Sequence, residues 1–202
     1  MFMKYDIPGG QAETLPNKLG LIKPEEIAIS EFEGFLEAEI LLTESLTAKT
    51  KFNAKYILKI HKLALAHLYT FAGKYRNVNL SKGGFMFSSA LHLPQSMKEF
   101  EDEILLQLPV TYSDREKLIE DVATVHAELL FIHPFREGNG RTARILANLM
   151  VRKAGYEMLE FDKIKGEVFE QYVLAVQKAS LKNYHPMMEI IRMIFSSSPQ
   201  LF

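Results

Sequence analysis

The chain has 202 residues, 48% of them hydrophobic, which suffices for one well-buried core and is small for two. Its 24 Lys and Arg stand against 25 Asp and Glu, and a net charge of −1 provides no basic field to recruit nucleic acid or an anionic membrane. The absence of cysteine removes disulfides, thiolate nucleophiles and Cys-based zinc sites. With no basic and apolar leader over Met1–Gln11 and no apolar run of spanning length, the simplest expectation is one soluble, cytoplasmic domain over residues 1–202.

Residues 1–21, rich in Gly, Pro and Asn, read as an extended arm. Pro24 suits the first position of a helix, with Glu25 and Glu26 in the first turn where they complement the macrodipole. Ile27, Phe32, Phe35 and Ile40 supply its apolar side to about residue 44. Gly34 inside it costs about 1 kcal/mol against Ala, so something other than helix propensity wants glycine there. A second helical pattern runs from about Asn53 to Leu68 with Tyr56, Ile60, Leu63 and His67 at helical spacing. His61 and His67 are expected on or beside a core face, because no carboxylate or further histidine accompanies them at metal-ligand spacing.

From Tyr75 the period changes to two. Val78 and Leu80 alternate with Asn77 and Asn79, Ser81-Lys82-Gly83-Gly84 makes a turn, and Phe85 and Phe87 flank Met86. A β-hairpin over 75–88 is the one place where strands are expected, and a lone hairpin needs helices behind it. Pro94 opens a third helix carrying Met97, Phe100, Ile104 and Leu108 until Pro109. Ser113-Asp114-Arg115-Glu116 then fits a capping box, and the helix it starts continues through Leu118, Val122, Val125, Leu129 and Ile132 to deliver His133. His126, two turns earlier, is expected to be a buried polar contact. Further helices are expected over about 139–153, with Ile145, Leu146 and Leu149 inward and Gly155 as its cap, and over about 163–180 and 186–196.

The stretch from His133 to Arg144 concentrates polar chemistry. Pro134 stops the preceding helix, while Gly138 and Gly140 let the backbone turn tightly and approach a ligand, with Asn139 as a turn residue between them. The first N–H groups of the following helix have no intrahelical acceptor and carry the positive end of its dipole, which makes an oxyanion cradle. Arg141 and Arg144, three apart, reach the same polyphosphate. Glu137 is the hard ligand type that magnesium takes, and His133 has the side chain whose ordinary pKa suits a general base. Taken singly, each has a bland explanation: a structural histidine, a loop, a solvated helix face. A base, a carboxylate, a nest of donors and two cations within twelve residues have no economical structural explanation.

The same residues, His-Pro-Phe-Arg-Glu-Gly-Asn-Gly-Arg-Thr-Ala-Arg, resemble the signature of the Fic (filamentation induced by cAMP) family at every fixed position. The resemblance implies an all-α Fic-fold bundle of about seven helices with one β-hairpin flap, of the short single-domain type. It implies a nucleotidyltransferase, a protein adenylyltransferase moving AMP from ATP to a Ser, Thr or Tyr hydroxyl of a target protein. His133 would be the base, Glu137 the Mg2+ carboxylate, Gly138, Asn139 and Gly140 the anion hole, and Arg141 and Arg144 the clamps on the departing phosphates. Phe135 would anchor the loop, and Gln177 would lie near the adenine wall.

The segment Ala72-Gly73-Lys74-Tyr75-Arg76 is similar to the one preceding the family's flap, so Ser81, Lys82, Gly83, Gly84 and Phe85 would dock the target by strand addition, with specificity from Lys82, Phe85 and Phe87. The related Doc proteins, which transfer phosphate, carry lysine in place of the second motif glycine, and Gly140 favours AMP. Transfer of UMP, phosphocholine or phosphate, and a non-enzymatic nucleotide- or protein-binding module, are the alternatives. Many Fic proteins silence themselves with a Ser/Thr-x-x-x-Glu-Gly/Asn helix. The nearest segment here, Ile29 to Gly34, has isoleucine at its first position, so Glu33 is a candidate inhibitory residue and the stronger expectation is a separate small helical antitoxin.

Overall fold

A computed structural model describes residues 14–195 and places seven α-helices and one two-stranded antiparallel hairpin among them. The arm expected over 1–21 is a docked turn where it is described: the Asn17 side chain binds the Leu21 amide and carbonyl, and the Lys18 amide donates to Leu68 O at 2.8 Å. Residues 1–13 of that expectation lie outside the described residues.

Helix α1 spans Pro24–Glu44 with Pro24 in its first turn, as expected. Its inward face is not the expected one. Ile27 and Phe35 are buried with Ala38 and Leu42, but Phe32 and Ile40 face solvent and the carboxylate of Glu31 is buried in their stead. The helix has apolar side chains on both faces, so periodicity could not choose between them. Gly34 is required by packing: a Cβ there would lie 2.1 Å from the carbonyl oxygen of Ala64, so α1 rests directly on the backbone of the next helix. That helix, α2 (Ala54–Leu65), starts after Asn53, whose side chain accepts from the Tyr56 amide at 2.8 Å. It ends earlier than expected. Ile57, Ile60, His61, Ala64 and Leu65 turn inward, whereas Leu63 and His67 are exposed.

The hairpin is shorter than expected. Strands β1 (Ser81–Lys82) and β2 (Phe85–Met86) pair Ser81 with Met86 and Lys82 with Phe85. Val78 and Leu80 precede the ladder, and Ser81 and Lys82 are in a strand, not the turn. The turn is Gly83-Gly84, both at positive φ, the backbone that a two-residue hairpin loop demands. Helix α3 (Leu93–Glu103) stops at Ile104 and gives way to a 3-10 turn over Leu105–Gln107, so it does not reach Leu108.

Helix α4 (Arg115–Ile132) is capped by Asp114, not Ser113: the Asp114 carboxylate accepts from the Glu116 amide at 3.0 Å. It packs against α3 and against α5 (Asn139–Lys153), α6 (Glu167–Ala179) and α7 (His185–Ile194). Eleven of its eighteen residues are buried, which makes it the axis of the core and fixes the position of the loop at its end. The bounds of α5 are those expected, and Gly155 follows it at positive φ. Helix α6 begins later than expected, after a 3-10 turn over Phe161–Lys163, and residue 196 of the expected last helix lies outside the described residues. No helix among the described residues is long and apolar enough to cross a membrane.

Candidate active site

Helix α4 ends because Pro134 cannot continue it, and His133 takes up the left-handed conformation at φ 53° and ψ 57°. That conformation costs a non-glycine residue about 1–2 kcal/mol. The surroundings hold it. The His133 amide donates to Leu129 O at 3.0 Å, Arg76 Nε donates to His133 O at 2.8 Å, and the Arg76 amide donates to Pro134 O at 2.8 Å. Arg76 is itself buried and also donates to the carbonyls of Val78 and Ser88, so one guanidinium ties the base of the hairpin to the loop that carries the histidine.

The His133 ring is oriented on two sides. Its Nδ1 lies 2.9 Å from Leu130 O, and because a carbonyl only accepts, the proton is on Nδ1 and Nε2 carries the lone pair. The ring of Phe87, just past β2, stacks on it with centroids 3.8 Å apart. Burial lowers the pKa of His133 to about 3, the hydrogen bond to Leu130 opposing this and the charges of Arg76 and Lys82 adding to it. The imidazole is therefore neutral at pH 7.

The turn between α4 and α5 is locked internally. Asn139 accepts from the Phe135 amide and donates to the Phe135 carbonyl, both at 2.8 Å, so its side chain closes the loop and only its backbone N–H is offered to a ligand. Phe135 is fully buried and stacks on His61 at 3.8 Å, which supports its expected role as anchor. His61 completes the lock: its Nδ1 accepts from the Gly73 amide at 2.8 Å, so its Nε2 donates to Glu137 O at 2.9 Å. Burial lowers its pKa to about 4, which keeps this tautomer at neutral pH. Gly138, at φ 79°, is a second close approach, since a Cβ there would meet the Phe35 ring at 2.9 Å. Gly140 has open space where its Cβ would be. The amides of Asn139, Gly140 and Arg141 precede the first bond of α5, from Thr142 N to Gly138 O.

Glu137 is buried, and its Oε1 accepts from the Gly138 amide at 2.8 Å and from Arg141 Nη2 at 3.3 Å. Arg141 also donates to Glu31 of α1 at 2.5 Å and lies over the Phe35 ring. Tyr69 OH donates to the other oxygen of Glu31 at 2.7 Å. Arg144 lies over the ring of Phe161, and its charge acts on the nearby Tyr172 hydroxyl. Tyr172 in turn donates to Nε2 of His126 at 2.7 Å, while Nδ1 of His126 donates to Ala143 O. His126 is thus the buried polar contact expected of it.

One cavity of about 470 Å³ collects these groups. His133, Glu137, Gly138, Asn139, Gly140, Arg141 and Arg144 line it from the loop and α5, and Lys82, Gly83, Phe85 and Phe87 from the hairpin. Phe169, Tyr172, Val173, Val176 and Gln177 form an opposite, mostly apolar wall. Its volume and this mixture of apolar wall and convergent polar groups suit a nucleotide-sized ligand. Ser81 and Gly84 are in the hairpin but do not line the cavity. Glu33 is exposed, and no ion pair to Arg144 occurs among the described residues; the acidic residue of α1 that enters the site is Glu31, two positions earlier, and it meets Arg141. The sequence suggested no site role for Glu31 or Arg76, and His61, expected on or beside a core face, is buried there but also holds the loop through Glu137 O. No local signal marked them: Glu31 stands between Ser30 and Phe32, His61 between Ile60 and Lys62, and Arg76 between Tyr75 and Asn77.

The Fic/DOC family model matches residues 51–151. The chain is 28% identical over 144 residues, 71% of its length, to a protein adenylyltransferase Fic of Drosophila willistoni, of which the match covers 28%. It is 27% identical over 135 residues, 67% of its length, to the protein adenylyltransferase VbhT of Bartonella schoenbuchensis, of which the match covers 27%. The chain therefore spans little more than a quarter of the length of these relatives. Among solved structures, BepC of Bartonella tribocorum with bound AMPPNP superposes with a TM-score of 0.76 at 21% identity, covering 94% of each chain. This likeness extends the shared fold to nearly all of the chain.

Proposed function

The chain belongs to the Fic/DOC family, and on that premise we propose that it is a protein adenylyltransferase, which transfers AMP from ATP to a Ser, Thr or Tyr hydroxyl of a target protein. The observation that carries this reading is the presence, in one cavity, of a neutral histidine with its lone pair on Nε2, two arginines and the open N-terminus of α5. The relatives named as adenylyltransferases and the AMPPNP held by the BepC protein support it.

ATP lies with its phosphates on the backbone amides that open α5. The target hydroxyl oxygen attacks the α-phosphorus, and Nε2 of His133 takes its proton. The bond from the α-phosphorus to the bridging oxygen breaks, and pyrophosphate leaves against Arg141 and Arg144. The protein contributes orientation and fixed charge. Glu137, a buried carboxylate on the cavity wall, fits a magnesium ion, which is ordinarily held by one or two carboxylates together with substrate phosphates. When bound, such an ion neutralises phosphate charge. The flap presents Lys82, Gly83 and Phe85 beside His133 and serves as the docking edge for an extended target segment. The brake comes from a separate small helical antitoxin, a reading supported by the exposure of Glu33. The cytoplasm, where ATP is abundant, is the site of action.

Intact-mass analysis tests the transfer: the protein, alone and with lysate proteins, is incubated with magnesium and each nucleoside triphosphate beside a His133→Ala control. An AMP-sized increment with ATP that falls by about 10²–10⁴-fold in the control is expected. An increment with a different nucleotide would replace the donor, and none with any nucleotide, in protein freed of bound partners, would favour a binding module.

A further inference from the structure

We propose that the outer face of α1 is a docking surface for a basic amphipathic helix of a partner protein. On this face Ile29, Phe32, Leu36 and Ile40 follow one another at spacings of three and four residues and are 58%, 64%, 49% and 49% exposed. Single exposed apolar side chains are ordinary; four large ones in one helical row are a contact surface waiting for a partner. The row lies opposite the buried face of Ile27, Phe35, Ala38 and Leu42, which already packs on the domain. It is therefore not needed for the fold of the described residues.

Charge identifies the occupant. Within its 21 residues α1 carries seven glutamates and no lysine or arginine. Glu31 is spent on Arg141 and Tyr69, Glu39 accepts from Asn148, and Glu26 pairs with Lys23. Glu33, Glu37 and Glu44 are exposed and run along one edge of the apolar row, and Glu25 stands at its start. A second copy of this chain docking the same face would set carboxylates against carboxylates, which opposes association. An anionic membrane or a nucleic acid would be repelled for the same reason. A helix that brings apolar residues at heptad spacing with Lys or Arg on its flanks satisfies both the row and its edge, as flanking charges select partners between helices. This inference is independent of the transfer chemistry.

The test uses the full chain and two labelled synthetic peptides of 21 residues, the length of α1, both with Leu at the heptad a and d positions, one with Lys and Arg at e and g and one with Glu there. Fluorescence anisotropy at two salt concentrations measures binding. The basic peptide is expected to bind at least about ten-fold more tightly than the acidic one, with an affinity that weakens as salt rises. Phe32→Asp combined with Leu36→Asp should abolish binding, and Glu33→Lys with Glu37→Lys should reverse the preference between the peptides. All four side chains are exposed, and circular dichroism verifies that the variants remain folded. His133→Ala should bind as the native chain does, which separates this surface from the active site.

Equal binding of the two peptides, no binding of either, or binding that survives the aspartate pair would overturn the proposal. So would sedimentation of the native chain as a dimer that the aspartate pair converts to monomer, since the face would then belong to a second copy.

Discussion

Asn139→Ala isolates the lock that holds the catalytic turn. In the native turn the Asn139 amide satisfies both the N–H and the C=O of Phe135 at 2.8 Å, and Asn139 and Phe135 are both buried. Alanine leaves two backbone groups without their partner. Each orphaned buried group costs about 1–3 kcal/mol, so a loss of roughly 3 kcal/mol is expected for the pair. For a domain of this size that corresponds to a fall in Tm of roughly 6–12 °C. Urea denaturation at pH 7, with unchanged m-value as the check on two-state behaviour, measures it. Asn139→Asp sharpens the argument. Its carboxylate can still accept from the Phe135 amide but sets a second acceptor against the Phe135 carbonyl, so it should cost at least as much as alanine at pH 7. Protonation of the aspartic acid restores a donor, and its deficit relative to the native chain should shrink as pH falls from about 7 to 5 while that of alanine stays constant. A loss below about 0.5 kcal/mol for alanine, or an aspartate variant with no pH dependence of its deficit, would refute the assignment of Asn139 as the lock.

Gly34→Ala sets propensity against packing: propensity alone favours alanine by about 1 kcal/mol, yet its Cβ would lie 2.1 Å from Ala64 O. Thermal denaturation should show a net loss of about 2 kcal/mol or more as α1 is pushed off α2. Phe87→Ala removes the ring stacked on His133, whose pKa burial now holds at about 3. NMR titration should find it raised toward the ordinary value of about 6.5, and an unchanged pKa would exclude the ring as a source of the burial. The three buried histidines also link stability to pH. His61, His126 and His133 have folded-state values lowered to about 4, 3 and 3, so the unfolded chain binds protons that the native chain does not. Their contribution is complete above about pH 6.5 and is lost as pH falls toward 4, by about 1.4 kcal/mol per pH unit for each histidine. Urea denaturation at pH 7, 6 and 5 should follow that slope, and His126→Gln should remove about a third of it.

What the sequence determined is what short-range physics controls. Pro134 ends a helix wherever it stands, Gly138 permits the left-handed turn, and the residues after it open a helix with unsatisfied amides, so the stretch His133–Arg144 and the bounds of α5 could be read without neighbours. The Gly83-Gly84 hairpin turn was legible for the same reason, although its strands are only two residues each.

The tertiary structure decided which surfaces meet. Helix α1 offers Ile29, Phe32, Leu36 and Ile40 on one side and Ile27, Phe35, Ala38 and Leu42 on the other, and only the contact of Gly34 with the backbone of α2 selects the second set. That choice turns Glu31 toward Arg141, 110 positions away in the chain, and leaves Glu33 in solvent. Arg76 bonding His133 O and His61 bonding Glu137 O are long-range in the same sense. Hydrogen bonds of this kind form because burial leaves a polar group no solvent to bind, and burial is a property of the packed molecule, not of any segment.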